Sequence, residues 1–133
     1  MRLLLDTNVL VYFLYSDDYL SPSVKIDLLD FSNVLFTSTV CVQELIHLCQ
    51  TGKIKQNAEK VISDLDNAGI NIEQVTERHL KCFASLPIYD DHRDPNDRMI
   101  ISQAISDRIP LVSSDRKFLR YERHGLNFIY NER

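Results

Sequence analysis

The sequence predicts an α/β domain of three layers, an α/β/α arrangement with helices on both faces of a mainly parallel sheet. Short apolar runs alternate with stretches of helical periodicity from one end of the chain to the other, which is the pattern of successive β–α–β units. The first run, Arg2-Leu3-Leu4-Leu5, is continuously apolar after its first residue, as suits a strand covered on both faces. Length agrees, since 133 residues at 44% hydrophobic and 26% charged make one core of ordinary size and leave little for a second. One domain over residues 1–133 is expected.

The elements follow in order. The strand Arg2–Leu5 ends at Asp6, and Thr7 opens a helix to about Ser16. Ser21-Pro22 joins an N-cap to a proline at the first helical position and starts a helix to Phe31. Val34–Thr37 is the second strand, and Ser38 or Thr39 caps a helix to Thr51 that Gly52 stops. A helix over Lys53–Ala68 ends at Gly69, and Ile70–Val75 is the third strand. Glu77–Ser85 reads as a short helix, and Leu86–Arg93, with Pro87 and the charged Asp90-Asp91-His92-Arg93, as an exposed loop. Asp94-Pro95 opens a helix through Asp107, whose Met99, Ile100, Ile101, Ala104 and Ile105 belong to the core. Pro110–Ser113 is the fourth strand, a basic helical segment follows Asp115, and Leu126–Tyr130 is the last strand.

Composition narrows the function. With 3 Gly and 4 Pro, the chain is neither collagen-like nor low in complexity nor wholly disordered. Its longest apolar stretch, Val9–Tyr15, is seven residues, against about 20 for a membrane-crossing helix. Asp6, Thr7 and Asn8 interrupt the N-terminal leucines before they could form the apolar core of a signal peptide, so a cytoplasmic location is expected. Cys41, Cys49 and Cys82 are odd in number and form no C-x-x-C pair, which predicts reduced, buried thiols. His47, His79, His92 and His124 lack the spacing that puts two imidazoles on one helical face and are expected to be incidental. The net charge of -4 argues against a nucleic-acid partner, unless some of the carboxylates converge on cations that neutralise them.

Ligands in parallel α/β folds sit beyond the carboxyl ends of the strands. Asp6 ends the first strand and Asp115 follows the fourth, so both emerge at one edge, although either also serves as a helix cap. Glu44 interrupts the apolar stripe of Val40, Cys41, Leu45 and Leu48; a carboxylate there either sits at the rim of the core or faces an Arg, a Lys or a metal. In Asp94-Pro95-Asn96-Asp97, Asp94 reads as the N-cap and Asp97 as a first-turn acid whose charge favours the helix dipole, in a position that could also overlook the crevice. Like charges about 5 Å apart repel by roughly 3 kcal/mol per pair at an effective dielectric of about 20. Four converging carboxylates therefore rival the roughly 5–15 kcal/mol stability of a whole domain, and they must be partly protonated or hold cations. All-oxygen donors select Mg²⁺ or Mn²⁺ over zinc or copper.

The chain resembles the PIN-domain ribonucleases, and most closely the VapC-type toxins of toxin–antitoxin pairs. The resemblance rests on Leu5-Asp6-Thr7-Asn8-Val9-Leu10, on Val42-Gln43-Glu44-Leu45, on the stretch from His92 through Asp94-Pro95-Asn96-Asp97-Arg98-Met99-Ile100 to Ala104, and on Leu111-Val112-Ser113-Ser114-Asp115. It implies Mg²⁺- or Mn²⁺-dependent endonucleolytic cleavage of RNA, with Asp6, Glu44, Asp97 and Asp115 as metal ligands and catalytic acids, and Asn8, Asp94 and Ser113 supporting them. It also implies a homodimer and a protein antitoxin. Ser113 stands where the family often has threonine, and Asn96 where it often has an aromatic residue.

A path for RNA is suggested by Arg116, Lys117, Arg120 and Arg123, set against the single acid Glu122. In an α-helix, Arg116, Lys117 and Arg120 share a face. Lys53, Lys55 and Arg93 are the alternative contacts. A PIN nuclease of RNA processing without an antitoxin, a receiver-like signalling domain and a catalytically silent binding module are the competing readings. The receiver reading lacks the second acid beside Asp6, where Thr7 stands, and a lysine after the last strand.

Overall fold

A computed structural model describes residues 1–133. Five parallel strands form one sheet in the order β3-β2-β1-β4-β5, where β1 is Arg2–Leu5, β2 Val34–Ser38, β3 Ile70–Glu73, β4 Leu111–Ser113 and β5 Phe128–Tyr130. The sheet is thus wholly rather than mainly parallel. Alternation in β1 explains the layers. Leu3 and Leu5 enter one core with Val9, Leu10, Val24, Leu28, Val42, Leu45, Val61 and Leu65, whereas Leu4 enters a second core with Ile100, Ile101, Leu111, Phe118 and Tyr121. The first core is covered by α1 (Thr7–Tyr15), α2 (Pro22–Leu29), α3 (Thr39–Gln50) and α4 (Val61–Asn67), and the second mainly by α6 (Pro95–Asp107), against which α5 (Glu77–Ser85) packs.

Several boundaries move, each for a local reason. The helix expected to reach Phe31 stops at Leu29, because the Asp30 carboxylate accepts hydrogen bonds from Ser32 N and Oγ, and such a turn competes with the next helical bond. Phe31 is left fully exposed. The helix expected from Lys53 does not begin until a 3₁₀ turn at Ala58–Lys60, where Asn57 caps Glu59 N at 2.9 Å, and α4 follows it. β3 ends at Glu73 and not Val75, since its partner β2 gives way to α3 after Ser38. β4 starts at Leu111 and β5 at Phe128.

Two larger expectations fail. Leu86–Arg93 is not a simple exposed loop, because Leu86 and His92 are both buried. Arg116–His124 is a 3₁₀ helix rather than an α-helix, and its period of 3.0 residues buries Phe118 and Tyr121 on one face. Nor are all the histidines incidental. His79 is 2% exposed; its Nδ1 accepts from Thr76 N at 3.0 Å while Thr76 Oγ1 caps the α5 N-terminus. Its Nε2 faces Asp107 at 2.9 Å and Glu73 at 3.4 Å. The cysteines are free, Cys41 and Cys49 buried and Cys82 half-buried. No helix is long and apolar enough to cross a membrane.

The C-terminal residues are stitched to the rest by Asn131, which is fully buried. Its Oδ1 accepts from Ser21 N at 2.7 Å, and its Nδ2 donates to Tyr19 O at 3.0 Å and Ser114 Oγ at 2.8 Å. Truncation strands the Ser21 and Tyr19 backbone groups, so Asn131→Ala is expected to lower stability by about 2 kcal/mol, measured by urea unfolding. A loss below about 0.5 kcal/mol would show that these bonds contribute nothing net.

Candidate active site

The sheet order reverses between β1 and β4, so the connections leaving these neighbours run in opposite directions and open a crevice at their carboxyl ends. Asp6 lies there, 5% exposed. It caps α1 through Thr7 N at 2.8 Å, and its Oδ2 accepts from Ser113 Oγ at 2.7 Å and from Asn8 Nδ2 at 3.3 Å. Ser113 Oγ in turn accepts from Asp115 N at 3.1 Å, and Asn8 Oδ1 accepts from Ser114 N at 3.1 Å. These bonds fasten the end of β1 to the loop after β4. Asp115 caps the 3₁₀ helix through Lys117 N at 2.9 Å and keeps its other carboxylate oxygen for the crevice.

The remaining acids arrive on helices. Asp94, exposed, caps α6 by accepting from Asp97 N at 3.3 Å, as the Asp-Pro start suggests. Asp97, one turn in, is partly buried and faces inward. Glu44 is half-buried. The deepest positions of α3 are Cys41, Val42, Leu45 and Cys49, and Cys41 faces the second core. Glu44 follows Cys41 by three residues and so sits on that flank, towards α6, rather than in the middle of the apolar stripe. It lines an open groove of about 640 Å³ together with Asn96, the residue at the usual aromatic position.

Asp6 and Asp97 both feel the neighbouring acids of the crevice. Asp97 is pushed up to about 8, first by burial and then by the charges of Asp6, Asp94, Asp115 and Glu44. Burial pushes Asp6 up to about 6, with Glu44 and Asp115 adding to the rise and the Ser113 and Thr7 bonds opposing it. Hard oxygen donors that are buried and add to one another's charge in this way fit a divalent cation.

His92 enters the same cluster, contrary to the expectation that it is incidental. It is 4% exposed. Its Nδ1 meets Tyr121 Oη at 2.7 Å, and its Nε2 lies 3.3 Å from Asp97 Oδ2 and 3.9 Å from Asp115 Oδ2. One donor atom from each of His92, Asp97 and Asp115 falls within 4.8 Å of the others. The histidine stands first in the stretch that carries the resemblance. Only the three-dimensional return of the 86–93 segment against Tyr121 reveals its place.

The basic residues do not form the expected row. At three residues per turn, Lys117, Arg120 and Arg123 share a face and Arg116 lies on another. Arg120 is engaged by both oxygens of Asp91, and Lys117 Nζ donates to the Asp91 carbonyl at 2.9 Å. Arg123 is exposed. Arg116 donates to Tyr130 Oη at 3.1 Å and, with Arg133, lines a small pocket of about 230 Å³ beside Asn8 and Asp115. Arg133 had no sequence signal, being distant from every motif.

The raised acids set a pH dependence. Asp6 and Asp97 have folded values of about 6 and about 8 against 3.8 in the unfolded chain. The folded state therefore binds more protons in this window, and metal-free stability falls as pH rises from about 4 to about 8. Glu73, pushed up to about 8 by burial and by Asp107, adds to the fall from a separate cluster with His79 and Asp107. The melting temperature in chelator is expected to drop by about 3 °C or more between pH 5 and pH 8. Mn²⁺ should recover part of that loss at pH 8 and little at pH 5. A melting temperature that rises with pH in chelator would contradict this charge arrangement.

The PIN domain family profile matches residues 3–124. No curated protein matches the sequence significantly. Among solved structures, a chain of VapBC2 from Rickettsia felis bound to a promoter DNA fragment is 24% identical, with a TM-score of 0.72 over 99% of this chain and 100% of that one. A chain of VapBC-1 from nontypeable Haemophilus influenzae is 20% identical, with a TM-score of 0.68 over 98% of each. A chain of VapBC-5, a toxin–antitoxin system of Mycobacterium tuberculosis, is 19% identical, with a TM-score of 0.60 over 99% of this chain and 98% of that one. These likenesses carry the fold, and the profile, spanning nearly the whole sequence and both ends of the acidic crevice, carries the family: the chain belongs to the PIN-domain family.

Proposed function

We propose that this chain, as one PIN domain, is a Mg²⁺- or Mn²⁺-dependent endoribonuclease and the toxin of a toxin–antitoxin pair. The observation that carries the reading is the mutual charge of Asp6, Glu44, Asp97 and Asp115 at the sheet's switch point. These four acids would hold one or two divalent cations, which when bound activate water and stabilise the charge developing on a phosphodiester. Ser113 and Asn8 hold the Asp6 carboxylate in one orientation. Asp94 sets the start of α6 and thereby the height of Asp97.

Arg116 and Arg133, at the lip of the crevice, are suited to hold phosphates beside the scissile bond. Lys117 and Arg123 would extend the path, and Arg120 would do so only after release from Asp91. An antitoxin partner is supported by the VapBC complexes among the similar structures. It is supported also by the exposure of Ile26, Leu29 and Phe31 at 69%, 58% and 104%, apolar surface that a partner would cover. A homodimer and a cytoplasmic location belong to the same reading.

RNA cleavage should require a divalent cation, and Asp6→Asn, which keeps shape but loses the anionic ligand, should reduce it about a hundredfold. Asp94→Asn should retain most activity because asparagine caps as well as aspartate, while Asp97→Asn should lose most turnover with little change in fold. Cleavage in excess chelator, or full activity of Asp6→Asn, would refute the metal-dependent reading. In the Asp6→Asn background, Arg116→Ala with Arg133→Ala should flatten the salt dependence of RNA binding by roughly one to two units, at about 0.7 per lost contact with single strands. An unchanged slope would move the RNA path to Lys53, Lys55 or Arg93.

A further inference from the structure

Two clusters of the molecule bring a buried imidazole against two carboxylates, and they differ in one respect that decides what each can bind. At Glu73, His79 and Asp107, the Thr76 backbone N–H donates to Nδ1 at 3.0 Å. Nδ1 must therefore be the acceptor, so Nε2 carries the proton and donates to Asp107. That nitrogen has no lone pair for a cation, and the cluster is a closed hydrogen-bonded unit.

At His92 the arrangement is open. Nε2 is buried and makes no hydrogen bond, although carboxylate oxygens lie 3.3 and 3.9 Å away. A buried nitrogen left without a bond is costly, and a third body between it and the carboxylates would satisfy it. A cation about 2.1 Å from each donor separates neighbouring donors by about 3.0 Å at the right angles of octahedral coordination. The Asp97 spacing of 3.3 Å lies close to that value, and Asp115 Oδ2, at 3.9 Å, reaches it by moving about 0.9 Å, within the range of a side-chain rotation. On the far side of the ring, Nδ1 lies 2.7 Å from Tyr121 Oη, which can accept as well as donate. With Nδ1–H donating to that oxygen, the Nε2 lone pair points at the carboxylates, and an outer partner of this kind is the usual support of a metal-bound histidine. Tyr121 is itself fully buried and packs edge-on to the imidazole at 5.4 Å, so the ring cannot swing away.

We propose that His92 Nε2 is a metal ligand beside Asp97 and Asp115, making the crevice a mixed nitrogen–oxygen site that takes Mn²⁺ in preference to Mg²⁺. The inference rests on the metal-dependent reading above and adds a donor to it. Magnesium is held by oxygen and keeps its waters, whereas imidazole is a better ligand for the transition metals. The nitrogen therefore gives selectivity that four carboxylates alone would not.

The test uses the full chain freed of metal and loaded with one equivalent of Mn²⁺. Pulsed electron paramagnetic resonance of the wild type should show ¹⁴N hyperfine coupling to the manganese, and His92→Gln should abolish it. By calorimetry, His92→Gln should weaken Mn²⁺ binding about tenfold or more while changing Mg²⁺ binding by less than about twofold. Tyr121→Phe, which keeps the ring and loses the hydroxyl, should weaken Mn²⁺ binding in the same selective way. Absence of ¹⁴N coupling in the Mn²⁺-loaded wild type overturns the proposal whether or not the variants fold, as does an equal loss for both cations in His92→Gln. RNA cleavage with no ¹⁴N coupling would remove the histidine ligand and leave the nuclease reading standing. Coupling in a protein that cuts no RNA would do the reverse.

Discussion

A carboxylate buried at the end of the central strand governs the rest of the structure. Asp6 can be tolerated there only because Thr7 N, Asn8 and Ser113 all donate to it, and these donors come from the start of α1 and the end of β4. The bond from Ser113 ties together residues 107 positions apart. Satisfying one acid thus aligns β1 with β4, and the same Ser113 hydroxyl accepts from the Asp115 backbone, which brings the second acid into the crevice. Even so, burial leaves Asp6 at about 6 and Asp97 at about 8. The local fold does not neutralise what it gathers. Proton or cation uptake completes it.

How much of this can be read from the chain depends on what kind of signal a residue sends. The layers follow from β1, where three consecutive leucines feed opposite cores. Asp6 and Asp115 are legible because they follow strands at a common sheet edge. Glu44 is legible because a charge interrupts an apolar stripe, though it lies on the α6 flank rather than in the middle. Asp94 is legible as a cap because Asp-Pro fixes a helix start. Asp97 gains its meaning from the resemblance together with that cap.

His92 and the basic row are not legible for opposite reasons. His92 sits in a segment that reads as exposed, and its burial comes from Tyr121, 29 residues on. No local pattern encodes that contact. The basic row fails through its period, because a spacing of four residues aligns side chains on an α-helix but not on a 3₁₀ helix. There the burial of Phe118 and Tyr121, three apart, dictates the conformation over the local spacing of charges. Helix ends at Leu29 and Ala58 shift because Asp30 and Asn57 side chains capture nearby backbone groups, a competition that residue type announces but does not decide.

The strand order has a consequence for synthesis. β1 leaves the ribosome before either of its neighbours, and one of them, β4, begins only at Leu111. The contacts among β1, β2 and β3 can form early, while the bare edge of β1 and the buried face of Leu4 wait for α6 and β4. Contacts of such long sequence separation form late and slowly. The nascent protein therefore carries a central strand with one edge unpaired, exposed to wrong pairing or to capture by chaperones. Its acidic crevice is assembled only after Asp115 has emerged, long after Asp6.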